Sequence, residues 1–523
     1  MKRGFIMKKS AVSLAITLGL FSTSALAVDS FIQSARNLGS GGAGLTYAHW
    51  SSAANYNPAL LGTAVGTDND FFLVLNGTGR VADTKDDGDS LDLFESLEDE
   101  VNNFEDLDDL DLLEGDSQNL QNTINTANRI VSDFEQLDGA GLQGSFGVNL
   151  GFGMAFERVA VSFNAMAKFD VGGTGDISSS DINLLRRYTG LGQTLLSDVR
   201  PFYDRAASLE ADYDQLQSDL EQLENSGTAT QDDIDEAQRL ADEAEVLFVE
   251  AEVLAEEAKL QQTTIQNEYG DIFDQDTQTI VFDEDTLESK ARFAAIGWAE
   301  AGVTLASNWQ LDSEKKLSVG ATVKTVRLEF FDYQSASSDF DEDDIDGDEY
   351  RSSKDFVTAD LGAILSMDSM DKWRIGVTVK NIVGEDIESR QESLKVGQES
   401  LIYEVDTQVR IGTSYNHGWI RLAADLDLTE SKGPQFANGE QFFRGSQYGS
   451  VGAVINAYDF LELRAGYRHN FADKVGNSTT DESDGLVTVG AGVYLGGVQF
   501  DLGLQASPEL DDVGGGLQAM ITW

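Results

Sequence analysis

Val498-Gln499-Phe500-Asp501-Leu502-Gly503-Leu504-Gln505-Ala506 decides how this chain is read. Val498, Phe500, Leu502, Leu504 and Ala506 share one face of an extended segment. Gln499, Asp501, Gly503 and Gln505 share the other, a strict period of two. Val487, Val489, Ala491, Val493 and Leu495 form an apolar face just upstream, and the intervening Gly496-Gly497 suits a two-residue hairpin turn. Leu517, Ala519, Ile521 and Trp523 then alternate with Gln518, Met520 and Thr522. A soluble sandwich can contain any one such strand. A series joined alternately by tight turns and long polar loops is the pattern of hairpins crossing a bacterial outer membrane.

About fourteen strand candidates make up that series, from Phe71–Val81 to Gly514–Trp523. Leu142–Phe156 and Val159–Phe169 meet at Glu157-Arg158. Ala291–Gln310 and Leu317–Phe331 meet across Asp312-Ser313-Glu314-Lys315. Phe356–Met367 pairs with Trp373–Asn381, and Leu401–Tyr415 with Trp419–Leu428 across Asn416-His417-Gly418. Tyr448–Ala457, Leu461–His469 and Gly485–Leu495 lead into the closing hairpin. Each reaches the ~9–11 residues that a tilted membrane strand needs. With a periplasmic N-terminus, every short turn falls in the periplasm and the long connections, including 82–141, 172–290 and 382–400, fall outside. An even strand number returns Trp523 to the periplasmic side, where a terminal aromatic resembles the assembly signal of such barrels.

The other end of the chain agrees. Lys8 and Lys9, an apolar run Ala11–Phe21 and Ala25-Leu26-Ala27 read as a cleaved secretory signal, residues 1–27, starting at Met7. No later stretch reaches the ~18 apolar residues of a spanning helix, so a membrane protein built from this chain is a barrel. There is no cysteine, which removes disulfide and thiol–metal chemistry. Net charge is −55, and loss of the signal's four basic residues, with no acid before Val28, takes it to −59. Nucleic acid is excluded as a partner on that balance. The 51 glycines and 4 prolines suit strands that bend and pack closely at a barrel wall.

Residues 28–67 lack sustained alternation. They hold Gly41, Gly42 and Gly44, then Asn57-Pro58-Ala59-Leu60-Leu61. The glycines lack the Lys-Ser/Thr of a phosphate loop, so a compact segment tucked against or inside the barrel (68–523) is expected. Within the 173–289 insertion, Leu209, Tyr213, Leu216, Leu220 and Leu223 follow helical 4-3-4-3 spacing. Ile234, Ala237, Ala241, Ala244, Phe248, Ala251, Ala255 and Ala258 do so after a turn at Asn225-Ser226-Gly227. An extracellular antiparallel helical hairpin is expected, read first as a packed ornament and second as a partner-binding arm. The 82–141 loop, with Leu91-Asp92-Leu93-Phe94-Glu95-Ser96-Leu97, suggests short rim helices with a solvated acidic face.

No catalytic constellation emerges, and neither enzymatic activity nor a cofactor is expected. His49, His417 and His469 stand apart, outside any triad or metal spacing. Taking Gly347 as the sixth position of a calcium loop puts Glu342, Asp344 and Asp346 at the first, third and fifth. The twelfth is Ser353, which lacks the closing carboxylate, so a solvated loop with loose cation binding at most is expected. If the apolar faces meet lipid, the interior receives Asp360, Arg374, Lys380, Asp406, Arg410, Arg421, Asp425, Asp427, Glu462, Arg464, Arg468 and Asp501. Cross-strand ion pairing accounts for most of them, and a hydrated conduit would use the same residues.

The glycine segment, the Asn57-Pro58-Ala59-Leu60-Leu61 stretch, the signal and the hairpins running to a terminal aromatic together resemble the FadL-like superfamily of outer-membrane proteins. Within it the chain most resembles the family labelled conjugal transfer protein TraF, of the barrel type and not the thioredoxin-like protein of the same name. The resemblance implies an all-β barrel of fourteen antiparallel strands whose N-terminal segment, with Gly41, Gly42, Gly44, Asn57, Pro58 and Ala59, plugs the lumen. It also implies passive passage of small amphipathic or hydrophobic molecules through a lateral opening. The charged inner face departs from an apolar acyl-chain pocket. The alternative is a non-transporting surface scaffold or conjugation-associated envelope protein that binds partners through its helical arm and acidic loops.

Overall fold

The structure is a computed structural model that describes residues 33–67, 71–83, 96, 117–137, 142–225, 230–274, 279–281, 287–336, 347–390, 399–473 and 485–523. The expected signal, the first residues of the 28–67 segment, most of the 82–141 loop, the turn at Ser226-Gly227 and the cation candidates Glu342, Asp344 and Asp346 lie outside the described residues. Contacts divide the chain into two compact units. One draws its described residues from Glu95–Gln136 and Ile177–Ser289, and the other from Thr17–Phe94, Leu137–Asp176 and Lys290–Trp523.

The second unit is a closed antiparallel barrel. Its strands are β1 (Phe71–Asp83), β2 (Leu142–Ala155), β3 (Ala160–Asp176), β6 (Lys290–Gln310), β7 (Lys316–Ala336), β8 (Arg351–Ser366) and β9 (Trp373–Lys380). They continue with β12 (Gln408–His417), β13 (Ile420–Asp427), β15 (Tyr448–Tyr458), β16 (Leu461–Asn470), β17 (Gly485–Leu495), β18 (Val498–Ala506) and β19 (Asp512–Thr522). Fourteen strands close in the order β1-β19-β18-β17-β16-β15-β13-β12-β9-β8-β7-β6-β3-β2. Closure gives every strand of the ring a partner on each side, which is why such a sheet can sit in lipid. Phe71 and Trp523 seal the seam through a pair of backbone hydrogen bonds, with their rings stacked at 4.3 Å.

Alternation sorts the wall into two faces. Leu75, Val148, Val323, Val487, Leu502 and Leu517 are exposed on the outside, whereas Asn76, Asn149, Lys324, Asp501 and Gln518 are buried inside. Exposed Trp309, Trp373, Trp419, Tyr458 and Phe460 collect at the short-turn end, the pattern of an interfacial aromatic belt. The turns there are built locally. Gly496 and Gly497 have φ of 57° and 91°, the paired positive values of a type I′ hairpin turn. At the β8–β9 turn the Asp368 carboxylate accepts N–H bonds from Met370, Lys372 and Trp373, which hold its pKa below the ordinary range.

One expected strand divides. Leu401–Tyr415 is not continuous: β11 (Leu401–Val405) leaves the wall to pair with β10 (Glu385–Glu388) and β14 (Gln435–Phe436), and only Gln408–His417 joins the barrel. Leu401, Tyr403, Val405, Val409 and Ile411 keep one parity, but the chain turns at Asp406-Thr407, so the first three are buried inside and Ile411 is exposed outside. Parity cannot register that turn.

The first unit is helical: α3 (Ser117–Leu137), α4 (Ser179–Thr194), a π-helical turn (Leu195–Val199), α5 (Arg200–Asn225) and α6 (Gln231–Tyr269). A two-residue ladder of β4 (Phe273–Asp274) and β5 (Thr279–Ile280) accompanies them. Helix α3, of 21 residues, lies in the 82–141 loop, whose Leu91–Leu97 stretch, read as short rim helices, falls outside the described residues except for Ser96. A capping box of Thr230 and Asp233 starts α6, and Arg205 near the start of α5 pairs with Glu257 near the end of α6, so the two run antiparallel. The expected seam on α6 is out of phase by one residue at alternate positions. Leu240 and Leu254 are buried, while Ile234 and Phe248 are 57% and 65% exposed. Ala237, Ala244, Ala251 and Ala258 belong to both phases, and the row that is buried is that of Leu240 and Leu254.

Candidate functional site

Residues 33–67, with the short helices α1 (Ala35–Leu38) and α2 (Ala59–Gly62), lie along the inner wall, and most are buried. Wall glycines make the close approach possible. A Cβ at Gly362 would collide with the Asn57 amide, one at Gly320 with the Pro58 carbonyl, and one at Gly466 with the backbone of Ser40 and Gly41. Trp50, Tyr56, Leu60 and Leu61 of this segment form a core with Phe72, Val74, Ile364 and Met520 of the wall.

A segment with so little regular structure must find partners for its peptide groups elsewhere. Wall side chains supply them. Asp425 Oδ2 accepts from the N–H groups of Gly44 at 2.7 Å and Leu45 at 2.9 Å. Lys380 Nζ donates to the carbonyls of Ala54 and Asn55 at 3.2 and 3.1 Å, and Asn308 to those of Gly62 and Val65. Asn76 accepts from Ala35 N–H and donates to Gln33, Thr488 Oγ1 accepts from Gly41 N–H, and Arg374 donates to Thr46. Asn57 donates to the carbonyls of Ala363 and Val377 and accepts from the Ala59 N–H, which sets Pro58 and Ala59 at the start of α2. Gly41 and Gly42, both with positive φ, carry the bend before Gly44.

Most of the remaining inward charges bind one another, and two lie over tyrosine rings. Arg410 and Asp427 face each other directly in the β12–β13 register and form a bidentate pair. Arg464 reaches Glu462 at 2.7 Å and Asp501 at 2.6 Å, passing Gly492, where any Cβ would block it. Glu462 also holds Arg36 of the inner segment at 2.9 Å, and against the lowering effect of burial that carboxylate raises the Arg36 pKa. Arg421 lies over the Tyr47 ring at 5.3 Å, and Arg468 over Tyr448 at 3.5 Å. Asp360 is joined by two residues absent from the sequence-derived set: Lys324 sits 3.1 Å from both Asp360 and Glu300, all three buried. The signal for Lys324 was the even parity of Thr322, Lys324, Val326 and Leu328 on β7, where the inner face changes from polar to apolar. Asp406 stands apart from the others, exposed in the link between β11 and β12.

The opposite end of the lumen from the short turns is filled differently. Ile296, Val326, Leu328, Phe330 and Phe356 of the wall pack on Ile387, Leu401, Tyr403, Val405 and Phe443 around the β10–β11–β14 sheet. Arg292 anchors this mouth sheet: it pairs with Asp332 at 2.7 Å, donates to the Glu399 carbonyl and faces the rings of Phe436 and Phe442. Burial raises the Tyr403 hydroxyl pKa well above its ordinary value. Met166, Ile296, Trp298, Tyr403 and Val405 share a cleft with Lys168, Asp170, Glu404 and Gln408; at about 20 Å³ it has room for one water.

The wall beside the mouth sheet is low. β6 and β7 each have 21 residues, but β9 and β13 have 8, below the ~9–11 that span a membrane. β8 pairs with β7 along its whole length, yet its ladder to β9 covers only Leu361–Ser366. One more bond, Ile382 N–H to the Ala359 carbonyl, follows, and the chain turns inward at Asn381, φ 52°.

The family model described as the F plasmid transfer operon TraF protein matches residues 54–427. No curated protein matches in sequence. Among solved structures, a Pseudomonas aeruginosa FadL homologue is 8% identical with a TM-score of 0.44, covering 96% of this chain and 99% of that one. The Pseudomonas putida toluene transporter TodX is 10% identical with a TM-score of 0.39, with coverages of 96% and 99%. The CymD monoaromatic hydrocarbon channel is 11% identical, TM-score 0.42, with coverages of 94% and 96%.

Proposed function

The chain belongs to the family of the F plasmid transfer operon TraF protein, and on that footing we propose an outer-membrane barrel, both termini periplasmic, that passes small hydrophobic or amphipathic molecules. The 28–67 segment acts as its plug and the mouth sheet as a second stopper. The low wall carries this reading. Between β8 and β12 the barrel ladder stops at Leu361 and Val379, beside the apolar cluster of the mouth. An apolar solute entering there meets Phe330, Phe356 and Tyr403, and a sideways exit over the low wall spares it the charged belt around Lys324 and Arg464. Crossing that belt would strip water from ionic groups and leave them without compensation. The role is transport, without catalysis.

The test is uptake of a small apolar fluorophore by liposomes, paired with conductance in planar bilayers, for the intact mature chain and one lacking residues 28–67. Transport predicts uptake by both and conductance only on plug removal. A second reading draws on the close packing of plug and wall: a non-transporting surface scaffold, or a conjugation-associated envelope protein, that holds partners through the helical arm and acidic loops. Absence of uptake and conductance in both forms selects it.

A further inference from the structure

Helix α6 carries two apolar rows, and only one is used within its own unit. Leu240, Leu254 and Ile265 are buried. One residue earlier in the heptad, Val246, Val253 and Leu260 are 63%, 47% and 67% exposed, and Val249 joins them at 54%. At ~100° per residue this second row points well away from the first, and it extends over about 21 Å of helix. Its spacing is that of a coiled-coil seam without its partner, with Glu256 in the seam position between Val253 and Leu260. Contiguous exposed apolar residues in a helix otherwise rich in charge mark an interaction surface.

The residues beside the row specify the partner. Glu245, Glu252 and Lys259 border one side, and Glu243, Glu250 and Glu257 the other. Across α6 there are twelve acidic residues against Arg239 and Lys259. Both cations are already engaged, Arg239 with Glu236 and Glu243 and Lys259 with Glu256, and Glu257 is held by Arg205 of α5. Glu245, Glu250 and Glu252 have no ion pair among the described residues. In a helical pair the residues flanking the seam set partner choice by charge. A second copy of α6 would set glutamate rows against glutamate rows and be repelled.

We infer that this face of α6 docks a basic amphipathic helix of another protein, its apolar seam on Val246, Val249, Val253 and Leu260 and its flanking Lys or Arg against Glu245, Glu250 and Glu252. The inference holds whether or not the barrel conducts. It is tested on the full-length mature chain in nanodiscs with a labelled synthetic three-heptad helix bearing Leu and Ile in its seam and Lys at the flanking positions. A matched helix with Glu at those positions serves as comparison.

The Lys helix is expected to bind saturably and the Glu helix not at all. Val246→Asn with Val253→Asn and Leu260→Asn weakens binding at least tenfold. So, separately, does Glu245→Gln with Glu250→Gln and Glu252→Gln, which leaves the apolar row intact. All the altered side chains are exposed or half-exposed, and unchanged far-ultraviolet dichroism shows the arm still folded. Failure of the Lys helix to bind, or binding indifferent to either set of substitutions, overturns the inference. Sedimentation showing nanodiscs paired through their arms also overturns it, because the occupant is then a second copy.

Discussion

Removing the Asp425 carboxylate should release the inner segment from the wall. Its Oδ2 accepts two backbone N–H bonds, from Gly44 and Leu45, at 2.7 and 2.9 Å. Hydrogen bonds to a charged acceptor contribute about 1.5–3 kcal/mol each, so both together contribute about 3–6 kcal/mol. Part of this is returned in Asp425→Ala, because the variant no longer desolvates a carboxylate. A net loss of about 2–4 kcal/mol remains, a roughly 30- to 1000-fold rise in the undocked population. Asp425→Asn keeps an acceptor oxygen and should fall between. Trypsin reports the difference at Arg36, which is buried against Glu462 and Tyr494 while the segment is docked. When opening and closing outpace cleavage, the cleavage rate follows the open fraction. Detergent-solubilised Asp425→Ala should be cut there tens to hundreds of times faster than the parent, with the barrel itself intact. Equal rates in parent and Ala variant would refute the idea that wall charges hold the segment by its peptide groups.

Three further outcomes follow from the same contacts. Gly362→Val puts atoms where the Asn57 amide lies, so the barrel should still form and keep its heat-modifiable electrophoretic shift while Arg36 becomes open to trypsin. Lys324→Met removes the cation that buried Glu300 and Asp360 share and should cost about 3–5 kcal/mol in urea unfolding. Adding Glu300→Gln and Asp360→Asn should restore most of that loss. Burial, helped by nearby Arg36, holds the His49 imidazole down to about 3. An undocked imidazole takes up its proton near ~6.5, so between those values the undocked state binds the proton the docked state refuses. Docking should therefore weaken as pH falls from about 6.5 toward 3, by up to ~1.4 kcal/mol per unit, and His49→Asn should flatten the acid limb of the trypsin assay.

The barrel was legible because its signal is local. Strict alternation from Val498 to Ala506, a Gly-Gly turn before it and its repetition through the chain require only that neighbouring side chains face opposite ways. The phase of α6 was less legible, since Ala237, Ala244, Ala251 and Ala258 serve either seam and packing chose the row of Leu240 and Leu254. Lys324 was missed for a related reason. The inner face of β7 turns from Thr322 and Lys324 to Val326 and Leu328 midway, so the polarity of the alternation changes while its parity does not.

The sequence by itself determined a closed antiparallel barrel with long loops on one side, because period-two alternation and turn chemistry are written in residues a few positions apart. Only the tertiary structure decided that Asp425 and Lys380 grip the backbone of a segment more than 300 residues away. It alone decided that Leu401–Val405 folds into the mouth, and that the wall stands low between β8 and β12. Those depend on strand register and barrel closure, which bring distant groups together and which no local pattern encodes.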